Sequence, residues 1–263
     1  AGIIGLPANL FYGTGIPACI LVLDKAGAAG RKGVFMIDAS KGFIKDGPKN
    51  RLREQDLHKI VDAFDRRLEL PRFSRMVPLA EISDDKNDFN LNLPRYVDTS
   101  EPEDLQDIDG HLRGGIPERD LDALEPYWKV FPGVRAALFK ADRPGYAQLK
   151  VAIGDVKKTI FDHPEFTAWS TQTKKCFAKW RAEAAPRLTA LKKGDKPKAL
   201  IDELSEALLA AFQKAKLVDA YDVYQHLMDY WAETMQDDAY LIASDGWLEA
   251  AKPRLVVDDK DKN

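Results

Sequence analysis

Apolar positions follow two different spacings along the chain. From residue 1 to about 100 they come as short continuous runs. Ala18-Cys19-Ile20-Leu21-Val22-Leu23 and Gly33-Val34-Phe35-Met36-Ile37-Asp38 have the look of strands covered on both faces, and Ala1 to Pro7 reads as a strand and its exit turn. Gly27 to Gly33 reads as a hairpin or short loop between the two runs. A helical spacing follows, with Leu57, Ile60, Val61, Phe64 and Leu68 on one face and Pro71 as its stop. Met76 to Ile82 alternates like a strand that Pro78 confines to an edge. Beyond about residue 155 the spacing is helical almost throughout. One stripe runs Phe166, Trp169, Thr173, Cys176, Phe177, Trp180, Leu188, Leu191, with a start at Asp162-Pro164 and an end at Gly194. A second runs Leu200, Ile201, Leu204, Leu208, Phe212, and a third Ala220, Val223, Tyr224, Leu227, Met228, Trp231, Met235. Short connections between long helices predict antiparallel neighbours.

The expected fold class is therefore α/β over residues 1–100, followed by a mainly α-helical C-terminal domain over 155–257. Residues 101–154 are expected to connect them, holding one helix from Glu118 to Phe131, and 258–263 to form a charged tail. The chain starts inside an apparent strand, which leads us to expect a piece of a longer protein whose sheet edge is bare. Its first hundred residues are then expected to be less ordered than the helical half.

Composition narrows the function classes. Across 263 residues, 45% hydrophobic and 31% charged content is that of a globular chain. No run approaches the roughly 18 apolar residues of a membrane span, so no membrane partner and a cytoplasmic location are expected. A net charge of −3 is not the strongly basic footprint of a nucleic-acid binder, although a local patch can supply the field. Cys19 and Cys176 are expected as reduced, buried thiols. His58, His111, His163 and His226 are scattered singly, without metal-ligand spacing, and no metal is expected. Asp237-Asp238 suits a helix end better than an acid/base pair, since consecutive helical residues point about 100° apart.

Leu6 to Leu23 is more particular. A strand end, a Pro turn, the adjacent rings of Phe11 and Tyr12 and a small-residue loop directly precede an apolar run. Rings at the edge of an α/β sheet suit stacking on an unpaired base, but the residues alone favour their packing the sheet edge. Lys41, Lys45, Lys49, Arg51 and Arg53 form a basic cluster, open to two readings: contacts to a DNA backbone, or solvated charge on a loop.

The stretch Leu6 to Leu23 resembles the late catalytic-domain motifs of the modification (methyltransferase) subunit of type I restriction–modification systems, an N6-adenine DNA methyltransferase family. The likeness continues through Val34 to Ser40, Asn50 to Arg53, Asn90-Leu91-Asn92-Leu93-Pro94-Arg95-Tyr96-Val97, Tyr221 to Met228 and Trp231 to Asp238. It implies a partial methyltransferase-type sheet, Phe11 as the aromatic that stacks on a flipped adenine, and Tyr12 as the fallback. It also implies S-adenosylmethionine as methyl donor, with DNA, a specificity subunit, a restriction subunit and a second modification subunit as partners. The family's Gly-rich donor loop and its Asn-Pro-Pro-Tyr/Phe tetrapeptide are absent from this sequence. The resemblance thus describes a C-terminal part, with no cofactor site and no catalytic residue in it, expected to be inactive alone. The competing reading is a non-catalytic helical interaction module on a small α/β base.

Overall fold

The computed structural model describes residues 1–100 and 105–253, so the expected tail at 258–263 lies outside the described residues. The chain divides into two compact units, Ala1–Asp104 and Leu105–Asn263.

In the first unit, β1 (Gly2–Gly5), β2 (Cys19–Val22), β3 (Gly33–Asp38) and β6 (Ser74–Pro78) form a mixed sheet of order β2-β1-β3-β6. β1 and β3 run parallel; the other two pairings are antiparallel. A separate hairpin joins β4 (Ile44–Asp46) to β5 (Lys49–Arg51), and helices α1 (Glu54–Arg66) and α2 (Leu79–Ile82) complete the unit. The strand period of two sends successive side chains to opposite faces. Ile4, Phe35 and Ile37 pack on one face with Ile60 and Ala63 of α1. Ile3, Met36 and Val77 pack on the other with Ile82, Tyr96 and Val97.

Several expectations for this unit change. β2 is not covered on both faces: it is an edge strand with one neighbour, and Ile20 and Leu21 are 48% and 59% exposed. Cys19, expected buried, is exposed for the same reason, while Cys176 is partly buried; both are free thiols. On α1 the buried line is Asp56, Ile60 and Ala63, leaving Leu57 and Val61 exposed. Pro71 does not stop this helix. It ends at Arg66 because Arg67 takes the left-handed conformation (φ 52°), with its guanidinium 4.3 Å from the Phe64 ring centroid. β6 does end at Pro78 on the far edge, but Leu79 to Ile82 is helical.

The second unit opens with short elements: α3 (Ile108–Arg113), β7 (Ile116–Pro117), α4 (Glu118–Asp122), α5 (Glu125–Trp128), α6 (Pro132–Leu138), β8 (Phe139–Ala141), β9 (Tyr146–Leu149) and α7 (Val156–Phe161). The single helix expected from Glu118 to Phe131 is broken because Pro126 cannot donate a backbone hydrogen bond to the preceding turn. The stretch expected as connecting structure holds a three-stranded sheet, β7-β9-β8. It also shares a core with the long helix that follows, in which the Phe131 ring centroid lies 5.8 Å from those of both Phe166 and Trp169.

Three long helical segments follow: α8 (Pro164–Thr189), α9 (Pro197–Phe212) and α10 (Ala220–Tyr230). A π-helical turn at Trp231–Met235 continues α10 into α11 (Gln236–Asp245), and α12 (Trp247–Ala250) closes the described part. His163, not Asp162, caps α8, and the helix ends at Thr189, ahead of Gly194. The Glu165 carboxylate accepts from Gly133 N at 2.8 Å and Val134 N at 3.3 Å, tying α8 to the start of α6. Contacts of Arg187 with Glu203, Trp180 with Leu204 and Trp169 with Lys216 descend one helix while rising along the chain beyond it. This is the antiparallel order that the short connection predicts. No helix among the described residues is long and apolar enough to cross a membrane.

Candidate functional site

Between β1 and β2 the chain makes an excursion closed at its base by Leu6 N donating to Ala18 O at 2.8 Å, with Pro7 fully buried beneath it. Asn9 (φ 57°) and Gly13 (φ 79°) turn the backbone through left-handed conformations. At Gly13 an added Cβ would meet nothing within 4 Å, so glycine serves the backbone angle there rather than a close approach. The turn puts Phe11 and Tyr12 at the tip, 51% and 94% exposed.

Little apolar packing holds these rings, and the loop is pinned instead through its main chain. The β4–β5 hairpin supplies the pins. Asn50 N donates to Asn9 O at 3.0 Å and Asn50 Nδ2 to Ala8 O at 2.7 Å. Lys49 Nζ donates to Phe11 O at 2.7 Å and to Thr14 O at 3.3 Å, and lies 6.0 Å from the Tyr12 ring centroid. Asn50 is buried, and its Oδ1 has no hydrogen-bond partner among the described residues. Flat, solvated rings on a pinned backbone can offer a π-face to another ring system with little further ordering.

The basic cluster does not act as one set. Lys49 is turned onto the aromatic loop. Arg53 donates through Nε and Nη2 to the buried Asp56 carboxylate, both at 2.9 Å, and Asp56 Oδ2 in turn accepts Arg53 N at the start of α1. Arg51 pairs with Asp46 at 3.2 Å on the hairpin surface. Lys41 and Lys45 are exposed, the latter 5.6 Å from the Phe43 ring centroid. The sequence reading gave no role to Asn9 and Asn50. The one available signal was a polar, turn-forming residue in each of two loops, and it does not say that they meet.

Chemistry elsewhere is limited. Asp38, at the end of β3, is buried and accepts Ser40 N at 2.9 Å. Asp237 and Asp238 are exposed in the first turn of α11. No group of three or more potential metal ligands occurs among the described residues. The glycines of the Gly27–Gly30 turn have open space where a Cβ would stand and lead into a three-residue 3₁₀ turn, not a helix N-terminus able to cradle an anion.

Residues 1–105 match the N-6 DNA Methylase family model. The match spans the described part of the first unit, including the aromatic loop and its hairpin, and leaves the helical unit outside it. The chain is 40% identical over 111 residues to the type I restriction enzyme MjaVII methylase subunit of Methanocaldococcus jannaschii, covering 41% of this chain and 18% of that protein. It is 33% identical over 106 residues to the MpnII methylase subunit of Mycoplasma pneumoniae, covering 40% and 19%. A solved type I restriction–modification methyltransferase subunit from Streptococcus thermophilus shares 40% identity over 38% of this chain and 20% of its own, with a TM-score of 0.34. The chain thus spans about a fifth of the length of the relatives it matches.

Proposed function

We propose that this chain is the C-terminal part of an adenine-N6 DNA methyltransferase subunit of a type I restriction–modification system. In this reading residues 1–100 bring sheet strands and a base-stacking loop, the helices from residue 155 onward, with the small sheet that precedes them, form a docking domain, and the isolated segment does not methylate. The observation that carries the reading is the pair of solvated rings, Phe11 and Tyr12, on a pinned loop inside the residues that match N-6 DNA methylases. A target adenine drawn out of the duplex loses its stacking partners, and a presented ring replaces them. In this reading S-adenosylmethionine is the methyl donor of the complete subunit, and its site lies outside this segment.

Lys41 and Lys45 remain suited to contacts with a DNA backbone, and Arg51 can join them by exchanging its exposed Asp46 partner, whereas Lys49 and Arg53 are engaged with protein groups. The proposed partner of the helical unit is the specificity subunit, with a restriction subunit and a second modification subunit in the same assembly. Support comes from the relatives' description as subunits and from an apolar cavity of about 720 Å³ between α8, α9 and α10. Phe177, Trp180, Leu204, Val223 and Tyr230 line it, and Phe177 and Tyr230 are exposed at its rim.

The test is made in the complete assembly. Replacing Phe11 or Tyr12 with Ala lowers methyl transfer by about 5- to 100-fold, the worth of one base–aromatic stack, and leaves donor affinity unchanged. Normal turnover of both single variants and of the double variant, with the fold intact, removes the loop from the site.

A further inference from the structure

We propose that Lys49 and Asn50 are positioning residues for the base-stacking loop. The β4–β5 hairpin grips the main chain of residues 8–14 and so sets where the rings of Phe11 and Tyr12 stand. This inference rests on the stacking reading above.

Four hydrogen bonds carry it. Asn50 holds the loop's rising limb at Ala8 O and Asn9 O, while Lys49 holds its tip and falling limb at Phe11 O and Thr14 O. The acceptors are separated from their donors by 35 to 42 residues, so the loop's own sequence cannot provide the grip. An ammonium suits the task because it has three donors on a flexible stem and can bridge two carbonyls that do not lie in a plane. Asn50 is buried, and the hydrogen bond its amide makes among the described residues is the one from Nδ2 to Ala8 O. Tyr12, exposed over nearly all its surface, adds no packing at the tip, and Phe11 is half exposed. The position of the stacking face therefore depends on a neighbouring hairpin, through the Lys49 ammonium, the Asn50 amide and the Asn50 main-chain N–H. A ring displaced by an ångström misaligns the target base for transfer.

The experiment compares Lys49→Met with Lys49→Arg in the complete methyltransferase, alongside Phe11→Ala and Tyr12→Ala. It reads kcat, KM for donor, fluorescence of 2-aminopurine at the target position, and amide exchange. Lys49→Met is expected to lower kcat about 10- to 100-fold at unchanged donor KM. It should also alter the 2-aminopurine signal and speed exchange in residues 8–14 while β3 stays protected. Lys49→Arg, which keeps charge and donors, restores most of the turnover. Unchanged kcat and loop exchange in Lys49→Met overturn the positioning role and leave the stacking reading standing. Loss of protection in β3 also overturns it, because Lys49 would then hold the fold rather than the loop. Should Phe11→Ala and Tyr12→Ala both turn over normally while Lys49→Met frees the loop, the stacking reading fails and the role in the reaction falls with it.

Discussion

β2 and β3 belong to one sheet and carry runs of similar apolarity, yet their surroundings are opposite. Phe35, Met36 and Ile37 of β3 are fully buried, with a strand on either side, α1 over one face and Tyr96 and Val97 over the other. Ile20 and Leu21 of β2 are about half exposed beside a single neighbour. An apolar run therefore states a strand's demand for cover, and the rest of the fold decides whether the demand is met. The same contrast recurs among aromatic side chains (Trp180 buried, Phe177 exposed on one helix) and among cations, where Arg53 is engaged and Lys41 exposed.

The contrast is broken most severely in the covered strand. Phe35→Ala should cost about 3–5 kcal/mol in urea unfolding, because a ring leaves a cavity between sheet and α1. Leu21→Ala should cost about 0.5 kcal/mol in this chain, and distinctly more in the complete subunit if further structure covers β2. Equal losses for the two variants in this chain would erase the distinction. In the helical unit, Trp180→Phe should cost about 1–2 kcal/mol, since the Leu204 carbonyl loses the indole donor at 3.0 Å. Phe177→Ala should leave stability nearly unchanged while weakening capture of the specificity subunit.

Among the cations, Lys41→Ala and Lys45→Ala in the complete assembly should each reduce the slope of log affinity for DNA against log salt by about 0.9. Arg53→Ala should lower stability and leave that slope alone. The smallest effect is expected at Asp107, which caps α3. The Gly110 N–H, and then the Tyr146 hydroxyl, hold its carboxyl below the ordinary carboxylate range. A carboxyl lowered in the folded state stabilises above its unfolded pKa, and the contribution is lost as pH falls through the folded value. Asp107→Asn should thus be less stable at neutral pH, the gap to the parent narrowing below about pH 4. A gap that stays constant on acidification would count against this assignment.

The positions of β1, β3 and α1 were legible because each follows from local spacing, and the helical texture past residue 155 from stripes of aromatic and aliphatic residues, while β6 overlaps its expected strand only at Met76–Pro78. The halves of the expected helix at 118–131 part at Ala123 and Leu124, just ahead of Pro126, a signal visible in the sequence but outweighed there by the apolar spacing. The exposure of Cys19 and the left-handed end of α1 at Arg67 were not legible, since both depend on what packs nearby. In the candidate site, the rings of Phe11 and Tyr12 could be singled out from sequence. The hairpin that holds them could not, because nothing local links Asn50 to Ala8 or Lys49 to Phe11.

By itself, then, the chain's order of residues determined strands β1, β2 and β3, helix α1 and the long helices past residue 155, and that two adjacent rings stand in a turn at a strand end. Those are properties of neighbours in sequence, set by the periods of the backbone and by turn chemistry. Tertiary structure alone decided which apolar runs are covered, which cations are engaged and what grips the aromatic loop. Each of these depends on groups brought together from distant parts of the chain, and no local pattern encodes which of them will meet.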